Sequence, residues 1–163
     1  MKREYDIQRN KKWEVLTSPM TLKTGDLVRV DLYVNVPATR HFVVVDDPVP
    51  GGLEPVNRDL ATSSEVDANK AESDYAGGSL WFSRKDWVEF SMSYWSFYHK
   101  ELRHHAALFY SDYLPPGNYH LSYVAQAVAP GEFTVMPTHV EEMYEPEVFG
   151  NSVPAILKVE RAE

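Results

Sequence analysis

The chain of 163 residues has no cysteine. This excludes disulfides, thiolate metal sites, a cysteine nucleophile and a thioester formed within the chain itself, and leaves the redox compartment open. It also lacks any basic run. Its 16 Lys and Arg face 24 Asp and Glu, for a net charge of -8. A surface that tracks phosphates needs the opposite balance, so nucleic acid is not an expected partner. No apolar stretch approaches the roughly 18 residues of a membrane-spanning helix, so no direct membrane insertion is expected. The opening MKREYDIQRN has no apolar core of a signal peptide. An export signal, if the protein works outside the cytosol, would sit on a longer parent chain, and the sequence reads as a fragment of one. The length suits one domain, residues 1–163, with a long inserted loop.

What is present points to β structure. Aromatic residues make up 13% of the chain, with 10 Tyr and 4 Trp. In REYDIQRNKKWEVL, Tyr5 and Ile7 alternate with polar neighbours, Asn10-Lys11-Lys12 makes a turn, and Trp13 and Val15 begin the return. Thr24-Gly25-Asp26 turns the chain into LVRVDLYVNV, where Val28, Val30, Leu32, Val34 and Val36 keep period two. The apolar run Phe42–Val45 is stopped by Asp46-Asp47-Pro48. From Leu53 to Lys85 the pattern dissolves into Ala- and Ser-rich polar sequence, read as a flexible insertion at about 57–80. Phe97–Arg103 and Ala106–Tyr110 read as two strands joined at His104-His105 rather than as one helix. The neighbouring hairpin signal, Pro115-Pro116-Gly117-Asn118 before Tyr119, Leu121, Tyr123, Ala125 and Ala127, supports that choice. PGEFTVMP and PAILKVERA supply the last strands. Seven to eight strands broken by Pro/Gly turns, without a βαβ period, predict an all-β antiparallel sandwich with a long polar insertion.

Sites for chemistry are scarce. Asp46-Asp47 and Glu141-Glu142 are adjacent pairs whose side chains point to opposite faces of extended backbone, which suits turn caps and loop charges better than converging acid and base. The six histidines include no H-E-x-x-H or H-x-H spacing, so no metal site is expected. Ser63, Ser64 and Ser79 lack a nucleophile-elbow context, and no G-K-[ST] follows Gly51-Gly52 or Gly77-Gly78. No catalytic residue, no cofactor and no enzymatic activity are expected. Trp81, Phe82, Trp87, Phe90, Tyr94, Trp95, Phe97 and Tyr98 form an aromatic cluster. It is read as core, with a sugar-stacking platform, and hence a carbohydrate-binding module, as the alternative. One loop stands out: EEMYEPEVFG, Glu141–Gly150, sets Met143 and Tyr144 among glutamates and a proline.

Three stretches together, GDLVRVDLYV…HFVVVDDPVPGGLEPVN, FYHKELRHHAALFYSDYLPPGNYHLSYVAQAVAPGEF and VEEMYEPEVFG, resemble the C-terminal macroglobulin-like domain of bacterial alpha-2-macroglobulins over nearly the whole chain. The resemblance implies a macroglobulin-like, immunoglobulin-like sandwich at the C-terminal end of a much larger protein. That protein would be a periplasmic inhibitor of endopeptidases, anchored to the inner membrane as a lipoprotein, that traps target proteases after they cleave a bait region. In one branch a thioester on a separate helical domain then captures the protease; a second branch lacks it. By the same resemblance Met143 and Tyr144, flanked by Glu142 and Glu145, belong to a loop that shields the thioester domain or docks the equivalent domain.

Overall fold

A computed structural model describes residues 1–56 and 96–162. Their strands are β1 Lys2–Arg9, β2 Lys12–Val15, β3 Met20–Lys23, β4 Leu27–Val36, β5 Arg40–Pro48, β6 Leu53–Pro55 and β7 His99–Arg103. They continue with β8 Ala106–Leu114, β9 Gly117–Ala127, β10 Gly131–Val135, β11 His139–Glu142, β12 Glu145–Asn151 and β13 Ala155–Glu160. The all-β sandwich read from the sequence is therefore present. It has thirteen strands among the described residues where seven or eight were expected, because short pieces such as β3, β6 and β10 pair as separate strands.

One five-stranded sheet runs β2-β1-β4-β9-β6 and the other β12-β11-β5-β8-β7. The third, β10-β13-β3, departs from the antiparallel expectation: Leu157–Glu160 of β13 run parallel to Met20–Lys23 of β3. The insertion expected at 57–80 and the aromatics Trp81 to Trp95 lie outside the described residues. Of that aromatic cluster, Phe97 is buried edge-on against Tyr119, as the core reading expects. Tyr98 is exposed and donates its hydroxyl to Asp112.

Local sequence explains the local geometry. The β1–β2 turn is shortened to Asn10-Lys11, both left-handed (φ 50° and 63°), so Lys12 already pairs with Arg9. A two-residue turn with that twist fits the right-handed twist of the strands it joins. Between β8 and β9, Pro115 lends its carbonyl to the Tyr119 hydroxyl at 2.6 Å, a tyrosine tied back to the corner that precedes its own strand. At Gly52 the Phe133 ring lies where a Cβ would stand, only 2.4 Å from its nearest atom, so a side chain there would collide.

The period-two residues of β4 enter one core with Val43, Val45, Ala107, Phe109, Leu121 and Tyr123. The intervening Arg29, Asp31 and Tyr33 are buried as well, so β4 is covered on both faces up to Val34, and only Asn35 near its end is exposed. Arg29 bonds Asp6 and, at 2.8 Å, Asp31, and its guanidinium lies over the Trp13 ring. Asp31 also meets His120 Nε2 at 2.7 Å, and His120 stacks on Tyr33. Burial alone would raise the Asp31 pKa, but the His120 hydrogen bond and the Arg29 charge hold it below the ordinary carboxylate value.

The second ionic group lies deeper. The strand does not stop at Val45: β5 carries on through Asp46 and Asp47 and ends at Pro48, and alternation sends Asp47 into the core, fully buried. Neither reading of Asp47 as turn cap or loop charge holds, because three donors receive it. Arg3 Nη1 and Thr138 Oγ1 bond Oδ1 at 2.5 and 2.6 Å, the Tyr123 hydroxyl bonds Oδ2 at 2.7 Å, and Arg3 also reaches the Met136 carbonyl. One carboxylate thereby joins β1, β5, β9 and the connection into β11.

Candidate functional site: the β11–β12 turn

The connection fixed by Asp47 leads into the Met-Tyr segment. Thr138 N–H donates to Ser152 Oγ, and Ser152 N–H returns to the Thr138 carbonyl, closing the base of the β11–β12 hairpin. Above this clasp His139 pairs with Asn151, Val140 with Gly150 and Glu141 with Phe149. The next step pairs Glu142 with Glu145, so Pro146, Glu147 and Val148 stand outside the ladder. A proline has no N–H to contribute there, which suits an interrupted edge strand.

Met143-Tyr144 is the two-residue tip of this hairpin, and three contacts hold it. Met143 N–H donates to the Phe42 carbonyl at 2.9 Å. The Glu142 carboxylate accepts the His41 N–H at 2.8 Å. The Tyr144 ring meets the Phe42 ring edge-on, centroids 5.1 Å apart. Phe42 has φ 52°, rare for a bulky residue, while His41 and Val43 on either side stay in register with Tyr113 and Ser111. Tyr144 is 77% exposed, Phe42 43% and Met143 42%, whereas Glu142 is 8% exposed. Glu145 and Glu147 are exposed, and no Lys or Arg occurs from residue 133 to 157.

Of the four residues singled out in the sequence, Met143, Tyr144 and Glu145 face solvent. Glu142 does not solvate the loop; it turns inward and ties the loop to β5. Phe42 and His41 were missed, being a hundred residues away in sequence, and nothing local in RHFVVV signals a left-handed phenylalanine.

His139, lower on the hairpin, places Nδ1 2.6 Å from Asn151 Oδ1 and Nε2 3.0 Å from Glu141 Oε2, and stacks on Phe149. Those two hydrogen bonds, that to Asn151 foremost, raise its pKa above the ordinary histidine value. Among the described residues no group of three or more His, Asp or Glu is placed to hold a metal ion.

A protein-family model described as the bacterial alpha-2-macroglobulin MG10 domain matches residues 1–147. The chain belongs to this family. The MG10 match takes in the Met143-Tyr144 tip and its β5 anchor. Among curated relatives, an alpha-2-macroglobulin homolog of Nostoc sp. is 28% identical over 145 residues, covering 89% of this chain and 6% of that protein. The alpha-2-macroglobulin of Escherichia coli is 32% identical over 127 residues, covering 78% of this chain and 7% of that one. The MG10 chain thus spans less than a tenth of either relative. Among solved structures, E. coli alpha-2-macroglobulin activated by porcine elastase superposes with a TM-score of 0.71 at 25% identity, over 98% of this chain and 13% of that one. The trypsin-activated E. coli protein gives 0.70 at 26% identity, over 98% and 10%.

Proposed function

We propose that this single MG10 domain works within a longer, protease-trapping bacterial alpha-2-macroglobulin, seating its Met143-Tyr144 turn on a neighbouring domain. That neighbour is the thioester domain where the parent has one, and the equivalent helical domain where it does not. The domain itself performs no catalysis. One observation carries the reading: two large apolar side chains are exposed at a turn that hydrogen bonds to β5 hold in place. A pre-ordered apolar tip loses little conformational freedom on docking, and methionine adapts to an irregular surface. Over a thioester such a tip would keep water and amines away from the reactive carbonyl. The E. coli relatives activated by trypsin and by elastase support target proteases as partners of the whole protein. The proposed location is the periplasm, with the parent anchored to the inner membrane as a lipoprotein, and cell fractionation tests it.

The decisive experiment replaces Met143 and Tyr144 together by alanine in the full-length protein. With a thioester present, methylamine reaction and spontaneous hydrolysis should accelerate. Without one, hydrogen exchange at the facing domain should rise. Unchanged behaviour in both assays would refute the proposal.

A further inference from the structure

We propose that Phe42 is the third contact residue of this docking surface, and that the face it meets is an apolar hollow rimmed by Lys and Arg on a helical domain of the same protein. The inference rests on the docking reading above and extends it to a different strand. Its first support is the backbone. A left-handed conformation is costly for a bulky L-residue and persists only where surrounding structure enforces it. Here the departure is confined to one position, since His41 and Val43 keep their register with β8. The departure gains no burial, because the ring is left 43% exposed. It instead aims the Phe42 carbonyl at Met143 N–H and sets the ring edge-on to Tyr144. Glu142 completes the arrangement by accepting the His41 N–H beside the kink. A strained residue whose side chain stays in solvent suits an external partner better than the domain's own core.

The second support is charge. Glu145 and Glu147 are exposed beside the tip, Glu141 is half-buried, and the hairpin carries no Lys or Arg. An apolar centre with an acidic border is complementary to an apolar hollow with a basic border, and opposite charge at the rim governs encounter and salt dependence.

The test uses the full-length protein and follows amide exchange at residues 143–145 and on the facing domain. Phe42→Gly removes the ring while glycine keeps φ 52° without strain, so the turn stays in place. We expect Phe42→Gly to speed exchange roughly tenfold, comparable to the Met143→Ala/Tyr144→Ala double variant, with the amides of Val43, Val45 and Phe109 unchanged. Added salt should speed exchange in the unsubstituted protein. If the double variant speeds exchange and Phe42→Gly does not, docking stands and the role of Phe42 falls. If neither does, the docking reading falls too. Loss of protection at Val43 and Val45 in Phe42→Gly would make Phe42 a structural residue and overturn the proposal. Exchange indifferent to salt would overturn the basic rim.

Discussion

Replacing Asp47 by alanine should be among the most damaging single changes in the domain. The carboxylate is fully buried and takes hydrogen bonds from Arg3, Tyr123 and Thr138. Its removal leaves the Arg3 guanidinium, whose side chain is only 3% exposed, with the Met136 carbonyl alone among these partners. Two hydroxyls lose their acceptor as well. Breaking a buried ion pair from one side costs about 3–5 kcal/mol, a large part of the about 5–15 kcal/mol that keeps an ordinary domain folded. At about 2–4 °C per kcal/mol for this size, Tm should fall on the order of 10 °C by circular dichroism. Adding Arg3→Met to Asp47→Ala removes the stranded charge, so the double variant should lose clearly less than the sum of the singles. The effect should also reach the docking turn, because Thr138 starts the β11–β12 hairpin. Exchange at the Thr138 and Ser152 amides should rise ahead of global unfolding. A loss under about 1 kcal/mol, or singles that add to within about 0.5 kcal/mol, would refute the reasoning.

In the isolated domain, Met143→Ala with Tyr144→Ala should cost only the edge contact with Phe42, about 1 kcal/mol and a Tm shift of a few degrees, against about 2–5 kcal/mol for a truncated core residue. A fall of 10 °C or so would place the pair in the domain's own core. His139 gives the hairpin a pH dependence. Its pKa is raised on folding, so its contribution is complete below the unfolded value of about 6.5 and is lost as pH rises through the higher folded value. Protection of the Asn151 amide, measured against its intrinsic exchange rate at each pH, should therefore fall on going from acid to neutral pH, and His139→Gln should flatten that protection profile; constant protection in the unsubstituted protein contradicts the assignment. Lys11→Gly, which relieves a left-handed lysine, should raise stability by about 0.5–1 kcal/mol, and any decrease in Tm would count against the turn geometry.

Much of this architecture is legible in the sequence wherever the signal is local. Alternating Val28 to Val36 marks β4, and the short β7–β8 connection at His104-His105 distinguishes two strands from one helix. Signals that depend on distant partners are not legible. Asp46-Asp47-Pro48 has the composition of a strand stop, and only Arg3, Tyr123 and Thr138, brought in from elsewhere, make Asp47 a core residue. The same holds at the candidate site. Met143 and Tyr144 stand out because apolar residues are unusual among glutamates, yet Glu142 looks like one more solvating charge. Its partner on His41, and the kink at Phe42, exist only once β11 lies beside β5.

The parallel pairing of β13 with β3 has a consequence for how the domain comes into being. Met20–Lys23 emerges from the ribosome more than a hundred residues ahead of its partner Leu157–Glu160. Closing so long a loop before any contact compensates its entropy is slow. Until then β3 presents an unpaired edge, and β10, which also needs β13, waits with it. A nascent chain halted before Ala155 would therefore hold two exposed strand edges, the kind of surface that captures other chains. During synthesis, the last strand acts as the clasp.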